Sequence, residues 1–267
     1  MGFGAVANTV PAGARAPRQT GAMTDPTGQP VDRRTVTFPV GADLPLDRVV
    51  YGPDVPDEST LRLLGDVNGK RILQLGCGDG QTTVALQRAG ARVIVVEPAS
   101  QSVTAAQRLF EREALKVELH QGDLADLAGV RADSIDAALS IYSLAGVDDL
   151  SRVFRQVHRV LRPELPLVFS LPHPAYSMID PRSDEPLRVR RSYWDATPRT
   201  WRSGDREGTD HSHTLADLFV GLSRTNFRVD TLLEPEPERE GARSPLWSET
   251  MRWVPSTLVV RARKQGI

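Results

Sequence analysis

The sequence predicts an α/β fold: one mostly parallel, doubly wound sheet of seven strands with helices on both faces, in a chain of 267 residues. Two observations carry that prediction. Apolar runs of strand length alternate with amphipathic stretches of helix length from Arg71 onward, and such alternation calls for crossover helices between parallel strands. Glycines and acids also follow successive strands, at the carboxyl edge where open α/β sheets bind ligands.

The first element expected is a short helix over Asp57–Leu64, with an acidic start, leucines at helical spacing and a stop at Gly65. Arg71–Leu75 reads as the first strand and Gln81–Ala89 as the helix after it; Arg92–Val96 and Gln101–Glu113 repeat the unit. Val117–His120 is the third strand and Ser134–Ile141 the fourth. Asp148–Leu161 is an amphipathic helix stopped at Arg162-Pro163, because proline removes a backbone donor, and Leu165–Leu171 is the fifth strand. Residues 172–212 break the rhythm with prolines, aromatics and charges, and are expected to form an irregular, lid-like insertion. His213–Thr225 then returns as a helix, Phe227–Leu233 as the sixth strand and Ser256–Arg263 as the seventh.

Upstream, residues 1–41 mix Pro11, Pro17, Pro26 and Pro30 with small polar residues. They carry too little apolar surface to offset the entropy of ordering and are expected to be a disordered tail, with the organised domain over 42–267. Met23 is a second candidate for the start of translation.

Charge narrows the partners. Lys plus Arg total 33 against 34 for Asp plus Glu, so no global positive field draws in nucleic acid or an anionic membrane, and a small acceptor suits the balance better. The single cysteine, Cys77, can form no internal disulfide, which points to a reducing cytoplasm; no metal site is expected, since no cysteine and histidine cluster has ligand spacing. No apolar run approaches the roughly 20 residues that span a bilayer.

After the first strand, Gly76-Cys77-Gly78-Asp79-Gly80 opens directly into a helix. Glycines there allow a sharp turn and a close approach of ligand to backbone. A dinucleotide fingerprint would place its third glycine at position 81, where the chain has Gln81, so the spacing argues against a nicotinamide cofactor. Glu97 ends the second strand, where a carboxylate serves either as a solvated helix cap or as an acceptor for the two hydroxyls of a ribose, and Pro98 fixes the turn. Asp123, in Gln121-Gly-Asp-Leu124, ends the third strand; it is either a turn former or an acceptor for an adenine amino group.

These segments, together with Asp133-Ser-Ile-Asp136 and Val160-Leu-Arg-Pro163, resemble the successive motifs of the class I S-adenosylmethionine-dependent methyltransferases, small-molecule type 11-like members in particular, strongly over residues 50–175. The resemblance implies a Rossmann-like sheet whose sixth and seventh strands form an antiparallel end, S-adenosylmethionine as cofactor, and a small organic acceptor. It assigns the methionyl part of the cofactor to the loop of Gly76, Cys77, Gly78 and Gly80, the ribose to Glu97 and Pro98, and the adenine to Asp123 and Leu124. Ser140 and Tyr51 complete the implied set, Tyr51 as a cover from the N-terminal side. At Gln74 the family usually has an acid; a neutral amide offers the cofactor no full charge, and Asp79 is the nearby residue placed to compensate.

Methyl transfer from a sulfonium is a displacement in which alignment is the protein's main task, and a hydroxyl acceptor also calls for a base. His173, between Pro172 and Pro174 after the fifth strand, is the candidate catalytic residue, and Tyr142 and His213 are candidate substrate contacts. Each has a plainer reading, as a loop histidine locked by prolines, a packed aromatic and a helix-start residue. Ser140-Ile-Tyr-Ser143 stands where many DNA amino-methyltransferases have a stacking clamp, which argues against base flipping. The insertion's seven arginines are matched by seven acids, a balance that suits a lid with internal ion pairs better than a nucleic-acid surface. A catalytically silent cofactor-binding or regulatory protein, a nucleic-acid methyltransferase and a nicotinamide oxidoreductase are the competing readings.

Overall fold

A computed structural model describes residues 32–33, 37–238 and 240–266. In chain order the elements are β1 (Asp32–Arg33), α1 (Glu58–Leu61), β2 (Arg71–Leu75), α2 (Gln81–Arg88), β3 (Arg92–Glu97), α3 (Ser100–Arg112), β4 (Glu118–Gln121), β5 (Ala137–Ile141), α4 (Leu150–Val160), β6 (Pro166–Pro172), β7 (Arg199–Ser203), β8 (Arg206–Asp210), α5 (Leu215–Arg224), β9 (Phe227–Leu233) and β10 (Thr257–Lys264). Seven of the strands form one sheet in the order β4-β3-β2-β5-β6-β10-β9, parallel throughout except that β10 runs antiparallel to both neighbours. The expected fold class is therefore observed, including its antiparallel end.

Period-2 alternation divides the central strands between two cores. Leu73, Leu75, Ile94, Val96 and Ala138 face the layer of α4 and α5, while Ile72, Val93, Val95, Leu139 and Ile141 face α2 and α3. Burial on both faces explains why these strands read as unbroken apolar runs. In α4 the stripe Leu150, Val153, Phe154, Val157 and Val160 is entirely buried, with Asp149 capping the amide of Ser151. Each such side chain contributes on the order of 1.5–3 kcal/mol of apolar burial.

Boundaries moved where backbone groups found other partners. The leading helix ends at Leu61, not Leu64, because Arg62 turns left-handed (φ 51°) and the Glu58 carboxylate takes up the amides of Leu63, Leu64 and Gly65. The fourth strand begins at Ala137, because the amides of Ser134 and Ile135 donate to the carbonyl of Val160 instead of the sheet.

Two expectations need correction. The insertion is not wholly irregular: β7 and β8 form an antiparallel hairpin, and β1 adds to β7 in parallel to make a second, three-stranded sheet. Trp201 lies against Gly208, its cross-strand partner, where a Cβ would come within 2.5 Å of the indole. Nor is the segment 37–41 a tail, because Thr37 and Pro39 are buried against the domain. Most of the expected tail, with Met23, lies outside the described residues.

Candidate functional site

The loop between β2 and α2 gains its shape from three glycines, each with positive φ: Gly76 at 76°, Gly78 at 54° and Gly80 at 94°. A Cβ on Gly76 would lie 2.0 Å from the Ser143 hydroxyl, and one on Gly80 would meet Phe110 and Ala106 within 3.1 Å. These two glycines therefore let the loop nest against β5's exit turn and α3. Helix α2 starts at Gly80 without a side-chain cap, so its first amides face the loop with no side-chain acceptor. Between the glycines, Cys77 is buried; burial and the neighbouring Glu97 push its thiol well above the ordinary range, which keeps it a protonated packing group.

Glu97, at the end of β3, is 5% exposed, and its two carboxylate oxygens accept the amides of Cys77 (2.8 Å) and Ala99 (2.9 Å). One acid thus ties the glycine loop to the start of α3. At the end of β4, Asp123 closes an Asx turn on Ala125 with one oxygen and leaves the other 3.6 Å from Arg152. A cleft of about 590 Å³ opens between these strand ends, lined by Pro98, Gln121, Gly122, Asp123, Leu124, Ser143, Gly146 and Val147. That volume lies within the range of small-molecule sites.

Several candidates stand elsewhere. Gln74 is buried beneath the loop, where its amide nitrogen donates to Gly76 O (3.2 Å) and its oxygen accepts from Thr83 (2.8 Å). It braces the turn from inside, and an amide fits because the position needs a donor and an acceptor together. Asp79 does not supply a free charge, since its oxygens hold the amide of Gly41 (2.8 Å) and the guanidinium of Arg206 (2.5 Å). Ser140 is buried and donates to Leu75 O, so Ser143, three residues on, is the serine that lines the cleft. Tyr51 is fully buried with its hydroxyl on Glu58; the chain that lies on the loop is Phe38–Pro39, with Pro39 at 3.1 Å from where a Gly78 Cβ would stand.

The histidines also sort differently. His173 is buried, with Nδ1 accepting the amide of Ala175 (3.1 Å) and Nε2 against Glu234 (2.8 Å), so both ring nitrogens already have partners. Tyr142 adopts a left-handed φ of 59°, turns its hydroxyl to Thr257 and meets Phe38 edge-on; it packs, and burial raises its pKa. His213 donates Nε2–H to Val147 O (2.8 Å), and burial lowers its pKa, which leaves a neutral ring with a basic Nδ1.

His213 lines a second, small pocket with about 30 Å³ of free volume, together with Ala145, Leu171, Tyr193, Arg199 and His211. The turn Ser143–Gly146 after β5 separates the two spaces, since Ser143 and Gly146 line the cleft and Ala145 the pocket. His211 seals the junction by donating its amide to Ala145 O (2.7 Å). Phe38, Pro39, Ser143 and Arg206 escaped the sequence reading. Only the hairpin left a usable signal, Gly204-Asp205 between two extended runs.

Comparison with known proteins follows this geometry. The methyltransferase-domain family matches residues 73–169, which contain the glycine loop, Glu97, Asp123 and the turn after β5. A ubiquinone biosynthesis O-methyltransferase from Methylocella silvestris is 33% identical over 97 residues, covering 36% of this chain and 38% of that protein. A magnesium-protoporphyrin O-methyltransferase from Rhodobacter capsulatus is 38% identical over 120 residues, covering 44% and 52%. The chain thus matches about half or less of the length of these two relatives. Among solved structures, an S-adenosylmethionine-dependent methyltransferase from Mesorhizobium loti superposes with a TM-score of 0.60 at 28% identity, over 76% of this chain and 94% of that one.

Proposed function

We propose that this chain, whose residues 73–169 belong to the methyltransferase-domain family within a class I fold, transfers a methyl group from S-adenosylmethionine to a small organic acceptor. The observation that carries the reading is the cleft across the ends of β3, β4 and β5, with the exposed Asp123 in its wall and the buried Glu97 next in chain to its lining residue Pro98. Such a pair suits an adenosine: Glu97 would accept from the ribose hydroxyls and Asp123 from the adenine amino group, and Pro98 and Leu124 would provide apolar walls for the base. The uncapped start of α2 suits the carboxylate at the cofactor's other end. When bound, S-adenosylmethionine supplies a methyl group on a positively charged sulfur, open to direct displacement.

The chain's own task is alignment and exclusion of water. The turn Ser143–Gly146 divides cofactor cleft from acceptor pocket, so the reacting atoms meet at its edge. Two relatives are named O-methyltransferases, which supports an oxygen acceptor here. For a hydroxyl, His213 is the base the geometry favours: it is neutral, its Nε2–H is anchored on Val147, and its Nδ1 can take the proton. His173 has neither nitrogen to offer. The acceptor pocket has only about 30 Å³ of free volume, and a shift of the 172–212 insertion as a lid would enlarge it to admit an acceptor. The lone thiol and the absence among the described residues of a helix able to cross a membrane fit action in the cytoplasm.

Calorimetry with S-adenosylhomocysteine and with NADH tests the cofactor assignment, and incubation with labelled S-adenosylmethionine and a metabolite extract identifies the acceptor. Binding of the homocysteine compound and none of NADH is expected. Binding of NADH alone would overturn the reading.

A further inference from the structure

Asp79 is an acid in the glycine loop whose charge is spent away from the cleft. One oxygen holds Gly41 of the N-terminal segment 37–42, here the strap, and the other holds Arg206 at the tip of the β7–β8 hairpin. Both ends of the Asp79–Arg206 pair are largely covered, at 18% and 21% side-chain exposure. Further contacts converge around it: Gln101 donates to Asp205 O (3.1 Å), Arg206 reaches Ser102 (3.4 Å) and Gln81 donates to Ala42 O (3.2 Å). The chain just before the strap is also joined to the hairpin, because β1 pairs with β7. Two segments far apart in sequence therefore form one small cap beside the glycine loop, where the Asp79 carboxylate holds both at once and Pro39 rests against Gly78.

We propose that Asp79 is a positioning residue, not a cofactor ligand: it clasps the cap over the methionyl half of the cofactor site, and opening of the Asp79–Arg206 pair sets the rate at which cofactor product leaves. The proposal rests on the assignment of S-adenosylmethionine to this site. Pro39 packs 3.1 Å from where a Gly78 Cβ would stand, so a ligand held against Gly78 on that side would share the space with the strap. The cleft at Asp123 stays open, so the adenosine end meets no such conflict. The clasp is a charge-assisted hydrogen bond, strong enough to hold the cap between turnovers and weak enough to break in each one.

The test uses the full chain and S-adenosylhomocysteine as the probe, with calorimetry to establish binding and a chase with excess S-adenosylmethionine to time release. Arg206→Gln and Asp79→Asn remove the ion pair, while the asparagine keeps an oxygen for Gly41; Arg206→Lys keeps the charge. Each of the first two should release the probe about tenfold faster, as expected for the loss of one charge-assisted hydrogen bond. Arg206→Lys should recover part of the slow release, and the double variant should be no faster than the faster single, because both remove one contact. Amide exchange should quicken in Arg199–Asp210 and stay unchanged in β2 and β5, which separates the clasp from general destabilisation. Probe binding with release rates within about twofold of the parent in Arg206→Gln would overturn the clasp alone. No probe binding to the parent chain would overturn the cofactor assignment on which it rests.

Discussion

At the residue scale, a side chain's role here is decided by what its polar atoms already hold. The strand-end places of Glu97 and Asp123 were legible in the sequence because strand ends are fixed by the alternation of apolar runs. Gln74, Ser140 and His173 were not, because their partners, Thr83, Leu75 and Glu234, are brought in by tertiary packing. His213 supplies the residue-scale prediction. Burial lowers its pKa, so the unfolded chain binds the proton more tightly than the folded one. Its contribution is therefore fully favourable above the ordinary histidine value of about 6.5 and falls away as pH drops through the shifted value. Methyl transfer should lose rate over the same acid limb if Nδ1 is the base. His213→Gln should remove that limb and cost about 10²–10⁴ in kcat at neutral pH, read as label transferred to the isolated acceptor. A parent-like acid limb in the variant would exclude the histidine.

At the element scale, the glycine loop was recognisable as a tight strand-to-helix turn, but the reason for its first glycine was not. Gly76 is required by Ser143, which belongs to the turn after β5, 67 positions away along the chain and next to it in the sheet through β2–β5 pairing. Gly76→Ala places a methyl group on the serine and forces an alanine to φ 76°. Both effects destabilise, together by about 2–4 kcal/mol. Adding Ser143→Gly relieves the collision and leaves the backbone strain, so the double variant should recover part of the loss in a urea titration. A Gly76→Ala protein as stable as the parent would show that the loop is looser than this contact implies. The β7–β8 hairpin was missed for the opposite reason. Its Gly204-Asp205 turn is visible in sequence, with positive φ at Gly204 as such a tight turn needs, yet the charges and prolines around it masked the strands, and their pairing with β1 depends on chain more than 160 positions upstream.

At the scale of the molecule, the seven-stranded sheet and the three-stranded cap differ in how they are held. The sheet carries the two apolar cores, while the hairpin joins it through polar contacts at Asp79, Gln101 and the turn after β5, and Phe38 and Pro39 of the strap add apolar packing on Tyr142 and Gly78. Cooperative unfolding therefore reports the sheet, and opening of the cap is a local event at lower cost. A ligand that binds only the folded chain raises global stability by about 2.7 kcal/mol at one hundred times its Kd. For a domain of this size S-adenosylhomocysteine at that concentration should raise Tm by about 5–10 °C, at roughly 2–4 °C per kcal/mol. The local event has its own readout. Arg188 and Arg190 in the insertion are 64% and 42% exposed and stand beside the exposed Leu187 and Val189, so trypsin should cut there long before the sheet is digested. If cap and cofactor site are coupled, cofactor and acceptor together should slow that cut by more than either alone, because both favour the closed form. A rise in Tm with an unchanged rate of cutting would mean that the ligand stabilises the sheet without holding the insertion, and would confine the lid to the hairpin and strap.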